Sequence, residues 1–348
     1  MADLTAPPLR DTAAVLAVDG GNSKTDVVLV GDDGSVLGYA RGPGSCHQTI
    51  GLAATLEVLT RLVEQAAAEA GLDATGPVAR CGSFYLAGAD LPVEVRMLRE
   101  RLRAAGWAED VTVDNDTFAL LRAGSERPDR VAVVCGAGIN CVGRSASGAV
   151  VRFPSLGRLS GDWGGGYHLG SEALWLAVRA EDGRGAATAL ESAVATHFGV
   201  GAVSDVAAAV HLGELPAERL HELVAVLFRV AEEGDAAARA VVLRMAEEVV
   251  LMATAALRRL GLLDTAADVV LGGGVLAARD PLLLGSVLEE LARAAPYARP
   301  VVVDQPPVVG AALLGLDALH APHRVEDDLR AALLRTMADR MGSAGAGT

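Results

Sequence analysis

Lysine is almost missing from this chain. Among 348 residues there is one, Lys24, and every other basic side chain is an arginine or a histidine. Aromatic residues make up only 3%, so any core must be built from aliphatic side chains. The arginine-, alanine- and glycine-rich vocabulary reads as a GC-rich coding bias and not as an adaptation. Positive charge is short too, and the formal net charge is −14. A chain this acidic repels phosphate backbones and anionic lipid surfaces, which argues against nucleic acid and membrane partners. No stretch reaches membrane-spanning length without a charged or polar break. The start, through Asp11, has neither a basic leader nor an apolar run, and reads as the frayed beginning of a cytoplasmic protein. Cys46, Cys81, Cys135 and Cys141 form no C-x-x-C pair. That excludes a zinc knuckle or a thioredoxin-type motif and leaves buried free thiols as the expectation.

What is present is aliphatic and periodic. The chain is 51% hydrophobic, enough for two cores, and its length suits two domains. Val15–Val18, Val27–Val30 and Val36–Ala40 are short apolar runs joined by the polar turn Asp19–Thr25 and by Asp33-Gly34, a hairpin signal. They predict an antiparallel three-strand meander. A helix follows over Thr49–Ala70, with Leu52, Leu56, Leu59, Leu62 and Val63 on one face and Gly71 as C-cap. Then come strands at Ser83–Ala87 and Val111–Val113, with helices over Val93–Ala105 and from Thr117. The pattern restarts at Val131–Cys135, turns at Gly136–Asn140, and continues through a second strand into a third at Ala149–Phe153. This is a duplication of pattern, not of residues. The reading is a domain over 12–125, a second over 126–320 with a helical insertion at about 172–260, and a C-terminal helix and disordered tail over 321–348.

Three turns carry chemistry. In AVDGGNSKTDVVL a strand delivers Asp19 to its carboxyl end. Gly20 and Gly21 let a ligand approach the backbone, and Asn22, Ser23, Lys24 and Thr25 offer hydroxyls, an ammonium and amides. Such a turn suits a polyphosphate, with Asp19 holding Mg²⁺ through water. It is not a Walker A loop, which needs glycine where Val18 and Ser23 stand. The second turn, Gly136, Ala137 and Gly138, occupies the equivalent place in the second half. Two such turns across a cleft would clamp one nucleotide phosphate chain. The third, Gly272, Gly273 and Gly274, ends a buried strand and lets a flat adenine lie against backbone. Gly272, Gly274 and Ala277 also fit a dinucleotide fingerprint followed by a strand ending at Asp304, but too few βαβ units remain for that domain.

These turns, in this order, resemble the phosphate-1, phosphate-2 and adenosine motifs of the actin/hexokinase/Hsp70 ATPase superfamily. Within it the chain resembles the BadF/BadG/BcrA/BcrD group and its N-acetylglucosamine kinase branch, from about Val15 to Leu316. GPGSCHQTIG (42–51), VDNDTFAL (113–120), GAGINC (136–141), SGDWGGGYHLGSEALW (160–175) and AEEGDAAA (231–238) carry the resemblance. It implies a duplicated ribonuclease H-like α/β fold of two domains with a central nucleotide cleft. It also implies ATP and Mg²⁺ as cofactors, an amino sugar as substrate, and a homodimer. On that resemblance Asp116 is the general base that accepts a sugar hydroxyl's proton. Read from the residues alone, Asp116 could equally cap the following helix, and Asp114 could equally be the base. The resemblance further places His47, Asn140, Gly161, Asp162, Trp163 and Ser171 around the sugar, with the loop residue His168 near them.

The chain departs from the group's pattern at several positions. Ala137 and Ile139 stand where the second phosphate loop usually carries hydroxyl residues. Ser171 stands where an aspartate is usual, and Cys46 where an asparagine is common. The resemblance implies N-acetylglucosamine as the amino sugar, the changes around the sugar pocket suggest an altered preference such as free glucosamine or another amino sugar, and Ala137 and Ile139 take two hydroxyl contacts from the phosphate loop. Two other functions stay open. One is a non-kinase ATPase that activates a dehydratase or reductase through a cysteine-held iron–sulfur cluster. The other is a catalytically weakened sugar or nucleotide sensor.

Overall fold

The computed structural model describes residues 12–303, 305–322 and 324–345. The start through Asp11, Asp304, His323 and the last three residues of the tail lie outside the described residues. Two compact units account for the chain, one formed by 1–123 with 305–348 and the other by 124–304.

The first unit begins with β1 (Ala13–Gly20), β2 (Lys24–Val30) and β3 (Val36–Pro43), the expected antiparallel meander. Small and aliphatic side chains fill β1 and β-branched ones most of β2, and the Asp19–Thr25 turn closes them, with the Gly21 amide donating to the Lys24 carbonyl at 2.9 Å. The helix expected over Thr49–Ala70 is two helices, α1 (His47–Ile50) and α2 (Leu52–Ala70), broken at Gly51. Gly51 has φ of 81°, which a continuous helix cannot contain. α2 buries Val58, Leu59, Leu62, Val63, Ala66 and Ala67 and ends at Gly71 in the left-handed conformation. β4 (Ala79–Leu86), α3 (Pro92–Ala105), β5 (Ala108–Asp114) and α4 (Asp116–Gly124) follow. β4 pairs parallel with β1, and β5 parallel with β4. The sheet order is β3-β2-β1-β4-β5.

The second unit repeats the plan. β6 (Arg130–Cys135), β7 (Ile139–Arg144) and β8 (Val150–Arg152) form the meander. A helical block then runs through α5 (Gly166–Glu181), α6 (Leu190–Phe198), α7 (Val203–His211), α8 (Leu223–Glu232) and α9 (Ala236–Leu260). It starts six residues ahead of the expected 172, because three glycines, 164–166, turn the chain into α5. β9 (Asp268–Gly272), α10 (Gly274–Ala277), α11 (Pro281–Ala294) and β10 (Arg299–Val302) complete a sheet of order β10-β9-β6-β7-β8. Each unit thus holds its own five-stranded mixed sheet.

The chain then returns to the first unit. α12 (Pro307–Ala318) packs on β1 and β4, and the Ser83 hydroxyl donates to the Ala311 carbonyl at 2.7 Å. The domain boundary expected at 320 therefore differs from the packing, which gives 305–320 to the first unit. An apolar helix has no periodicity that says which sheet it covers. α13 (Arg324–Gly345) joins α12 there, and it runs through positions read as disordered tail. Val325, Leu329, Leu333 and Met337, four residues apart, are its buried stripe. No single described helix is long and apolar enough to cross a membrane.

Candidate active site

In the first unit, strand register assembles a polar rung. Arg41 pairs with Asp26, Asp26 with Asp19, Asp19 with Tyr85, and Tyr85 with Asp114. Paired residues project to the same face, so the five side chains line up across all five strands at the carboxyl end of β1. Asp19 is 6% exposed. Burial raises its carboxyl well above the usual range, and the charges of Asp116 and Asp26 raise it further, while Lys24 and Arg41 pull it back. Asp116 opens α4 beside this rung, half-buried. Burial lifts its pKa to about 6, against the pull of the amides of Thr117 and of Asp116 itself. The capping role belongs mainly to Asn115, whose Oδ1 accepts from the Thr117 amide at 2.9 Å. The Asn115 amide in turn donates to Asp114 Oδ1 at 2.7 Å.

The 42–51 loop is stitched to the first turn. Thr25 Oγ1 donates to Ser45 Oγ at 2.8 Å, the Ser45 amide to the Gly21 carbonyl at 3.1 Å, and Thr49 Oγ1 to Asn22 Oδ1 at 3.4 Å. His47 sits below α3 with Nε2 3.6 Å from Glu94 Oε1, and its buried Nδ1 has no hydrogen-bond partner. Gln48 Nε2 donates to Glu94 Oε1 at 2.8 Å. Ser23 is exposed on the turn.

In the second unit the corresponding turn is braced by α5. The Gly166 amide donates to the Gly136 carbonyl at 2.8 Å, and the Tyr167 amide to the Ala137 carbonyl at 3.1 Å. Gly165, at φ 81°, lies so close that a Cβ there would stand 2.4 Å from Gly138. Gly273, at φ 84°, is pressed likewise on the Cys135 backbone, where a Cβ would come within 2.4 Å of the carbonyl oxygen. Only glycine fits either place. Thus Gly136–Gly138, Gly272–Gly274 and the 161–166 loop meet around the end of β6. Gly136, Gly138 and Gly274 face open space. Asn140, on β7, is buried, and its Oδ1 accepts from the Cys141 amide at 2.7 Å.

Beyond that turn lies a pocket of about 270 Å³. Gly161, Asp162 and Trp163 line it, as do Arg158, His168 and Glu172 and, from α9, Arg244 and Glu248. Trp163 is held between the His168 ring, 4.7 Å between centroids, and the Arg244 guanidinium, 4.3 Å from its ring centre. Asp162 Oδ2 accepts from Ser160 Oγ at 2.5 Å. Burial pushes the His168 pKa down and the Glu248 pKa up. Ser171 does not line this pocket. It is exposed, and its hydroxyl donates to the Tyr167 carbonyl one turn back at 2.7 Å. Its helical neighbours His168 and Glu172 face the pocket instead.

Sequence reasoning passed over Asp26, Arg41 and Tyr39. The turn alone would set Ala40 opposite Asp26; a one-residue register shift at Leu29/Val30 brings Arg41 there instead, and nothing local in the sequence marks that shift. It also passed over Arg244 and Glu248, which sit in a long amphipathic helix with nothing local to mark them.

Comparison with known proteins identifies this architecture. The model of the BadF/BadG/BcrA/BcrD ATPase family matches residues 16–315. An N-acetylmuramic acid/N-acetylglucosamine kinase of Clostridium acetobutylicum is 26% identical over 75% of this chain and 85% of its own length. An N-acetyl-D-glucosamine kinase of Dictyostelium discoideum is 22% identical over 87% of this chain and 98% of its own. Among solved structures, a candidate N-acetylglucosamine kinase from Chromobacterium violaceum superposes with a TM-score of 0.69 at 25% identity, covering 88% of this chain and 99% of that one. A ROK hexokinase from Thermus thermophilus shares the fold at a TM-score of 0.54 and 20% identity, covering 88% and 99%. With two five-stranded mixed sheets, each opened by a meander with a glycine turn, and a family match across most of its length, this chain belongs to the BadF/BadG/BcrA/BcrD ATPase family.

Proposed function

We propose that the chain transfers the γ-phosphoryl group of ATP to a hydroxyl of an amino sugar, N-acetylglucosamine or a close relative. The observation that carries this reading is the placement of Asp116, at the start of α4, beside the rung that holds the buried Asp19 at the carboxyl end of β1, where its charge helps raise the Asp19 pKa. Phosphoryl transfer asks little covalent work of a protein, mainly positioning, charge neutralisation and a group to take the hydroxyl proton. Asp116, with a pKa of about 6, is ionised at neutral pH yet basic enough to accept that proton as attack proceeds. Lys24, the exposed amides of the Asn22–Ser23 turn and the open glycine edges of 136–138 suit phosphate oxygens. The open edge at Gly274 suits a flat base. Asn140, His47 and the Asp162–Trp163 pocket supply polar and aromatic contacts of the kind a sugar takes.

A divalent cation fits the donor set. Asp19 lies in surplus negative charge, which a cation would relieve. Among the described residues no three His, Cys, Asp or Glu side chains gather into a full ligand set, so Asp19 would share Mg²⁺ with phosphate oxygens and water. The ion would neutralise charge on the phosphates.

All four cysteines are free and buried, and burial pushes the thiols of Cys81, Cys135 and Cys141 up in pKa. That favours the kinase over a cluster-holding activator, which needs thiolates at a surface. It also suits a reducing, cytoplasmic compartment, and the reading includes a homodimer, which light scattering at micromolar concentration tests. The function is tested by ADP release with a panel of amino sugars. Stimulation by one or more of them supports the kinase. A rate independent of every sugar removes it in favour of the ATPase or sensor readings.

A further inference from the structure

Asp26 is fully buried, and three hydrogen bonds reach it. Tyr39 Oη donates to Oδ1 at 2.6 Å, Arg41 Nε to Oδ1 at 2.6 Å, and Arg41 Nη2 to Oδ2 at 3.0 Å. Lys24 Nζ stands 3.8 Å from Oδ2, an ion-pair contact longer than a hydrogen bond. Lys24 and Asp26 are two apart on β2 and so share a face, and Arg41 stands directly across on β3. We propose that Asp26 is a positioning residue that holds Lys24, the chain's single lysine, at the phosphate turn. This rests on the reading of that turn as a polyphosphate site.

The physical argument is one of charge already spent. A lone buried carboxylate would bind the ammonium tightly and cancel it. Here a two-point guanidinium contact and a phenol satisfy the carboxylate first. The longer Lys24 contact then restrains a flexible four-carbon side chain without consuming its charge. The Lys24 side chain remains half exposed, free to meet an anion. Ordering such a side chain beforehand lowers the entropy lost when a ligand arrives. Within the turn, Thr25 is tied to Ser45 and Asn22 to Thr49, and Asp19 adds only its charge to the surroundings of Lys24.

The test is a double-mutant cycle read by calorimetric binding of the non-hydrolysable β,γ-imido analogue of ATP. Lys24→Met should raise its Kd roughly tenfold or more, the usual scale of a charged phosphate contact. Asp26→Asn should raise it about threefold to fivefold, yet less than about twofold in the Lys24→Met background, because Asp26 acts through Lys24. A purely structural role would weaken binding equally in both backgrounds, and that result overturns the proposal. So does unchanged binding by Asp26→Asn when Lys24→Met is impaired. Unchanged binding by Lys24→Met would instead refute the phosphate-turn reading itself. If Asp26→Asn does not fold, the paired change Asp26→Asn with Arg41→Gln removes both charges at once and is run through the same cycle with the same criteria.

Discussion

Asp116 occupies a position where burial and function pull in opposite directions. Burial lifts its carboxyl to a pKa of about 6, which suits the proposed base and at the same time makes the ionised form costly. As the base it must be ionised, so kcat/KM should fall about tenfold per pH unit below pH 6. Asp116→Asn should lower kcat by ~10²–10⁴-fold, leave ATP affinity nearly unchanged, and abolish that acid limb. Near-normal turnover in a folded Asp116→Asn enzyme would pass the role to Asp114. The same shift makes a stability prediction of opposite sense. The folded pKa lies above the unfolded value of about 3.9, so the folded state holds the proton more tightly. Stability contributed by the protonated form is complete below about pH 4 and is lost as pH rises through 6. Asp116→Asn should therefore be more stable than the parent at pH 8, by about 1–2 kcal/mol. Denaturant titrations at pH 8 and pH 4 check this, and equal differences at both would contradict it.

Within the first unit, one side chain ties α4 to two elements some two hundred residues away. Arg122, on α4, donates from Nε and Nη2 to Asp317 of α12 at 2.9 and 3.1 Å, and its Nη2 lies 2.8 Å from Glu326 of α13. Arg122 and Glu326 are both buried. Arg122→Ala leaves that buried acid without its guanidinium and should cost about 3–5 kcal/mol in unfolding free energy, measured by urea titration. A loss under 1 kcal/mol would mean that α12 and α13 hold by apolar packing alone. This is also the scale at which the sequence was hardest to read. The meanders and their glycine turns were legible, because period-two aliphatic runs and polar turns are local signals. The bases and acids at β1, β2 and α4 could be found from those turns. The return of α12 and α13 to the first sheet could not, because partners such as Ser83 and Arg122 lie some two hundred residues away. The pocket residues Arg244 and Glu248 escaped for the same reason, since only folding brings α9 to Trp163.

The whole molecule repeats one plan twice with different chemistry at each copy. The first sheet ends in acids, a lysine and an arginine, the second in bare glycine backbone beside a charged pocket with a tryptophan wall. In a chain of net charge −14, Lys24 and Arg41 set two cations beside the buried Asp26 of the first sheet. Its thiols follow the same economy of exposure. All four are buried, so a thiol-reactive dye should label the native protein slowly and all four only upon unfolding, and rapid labelling of the native state would contradict their packing. The central claim is phosphoryl transfer to an amino sugar, and the product ratio tests it most directly. Phosphorylated sugar, quantified by mass spectrometry, should equal ADP formed, one for one, with the best amino sugar as acceptor, and both should fall together in Asp116→Asn. ADP accumulating with inorganic phosphate and no sugar phosphate would show an ATPase in place of a kinase.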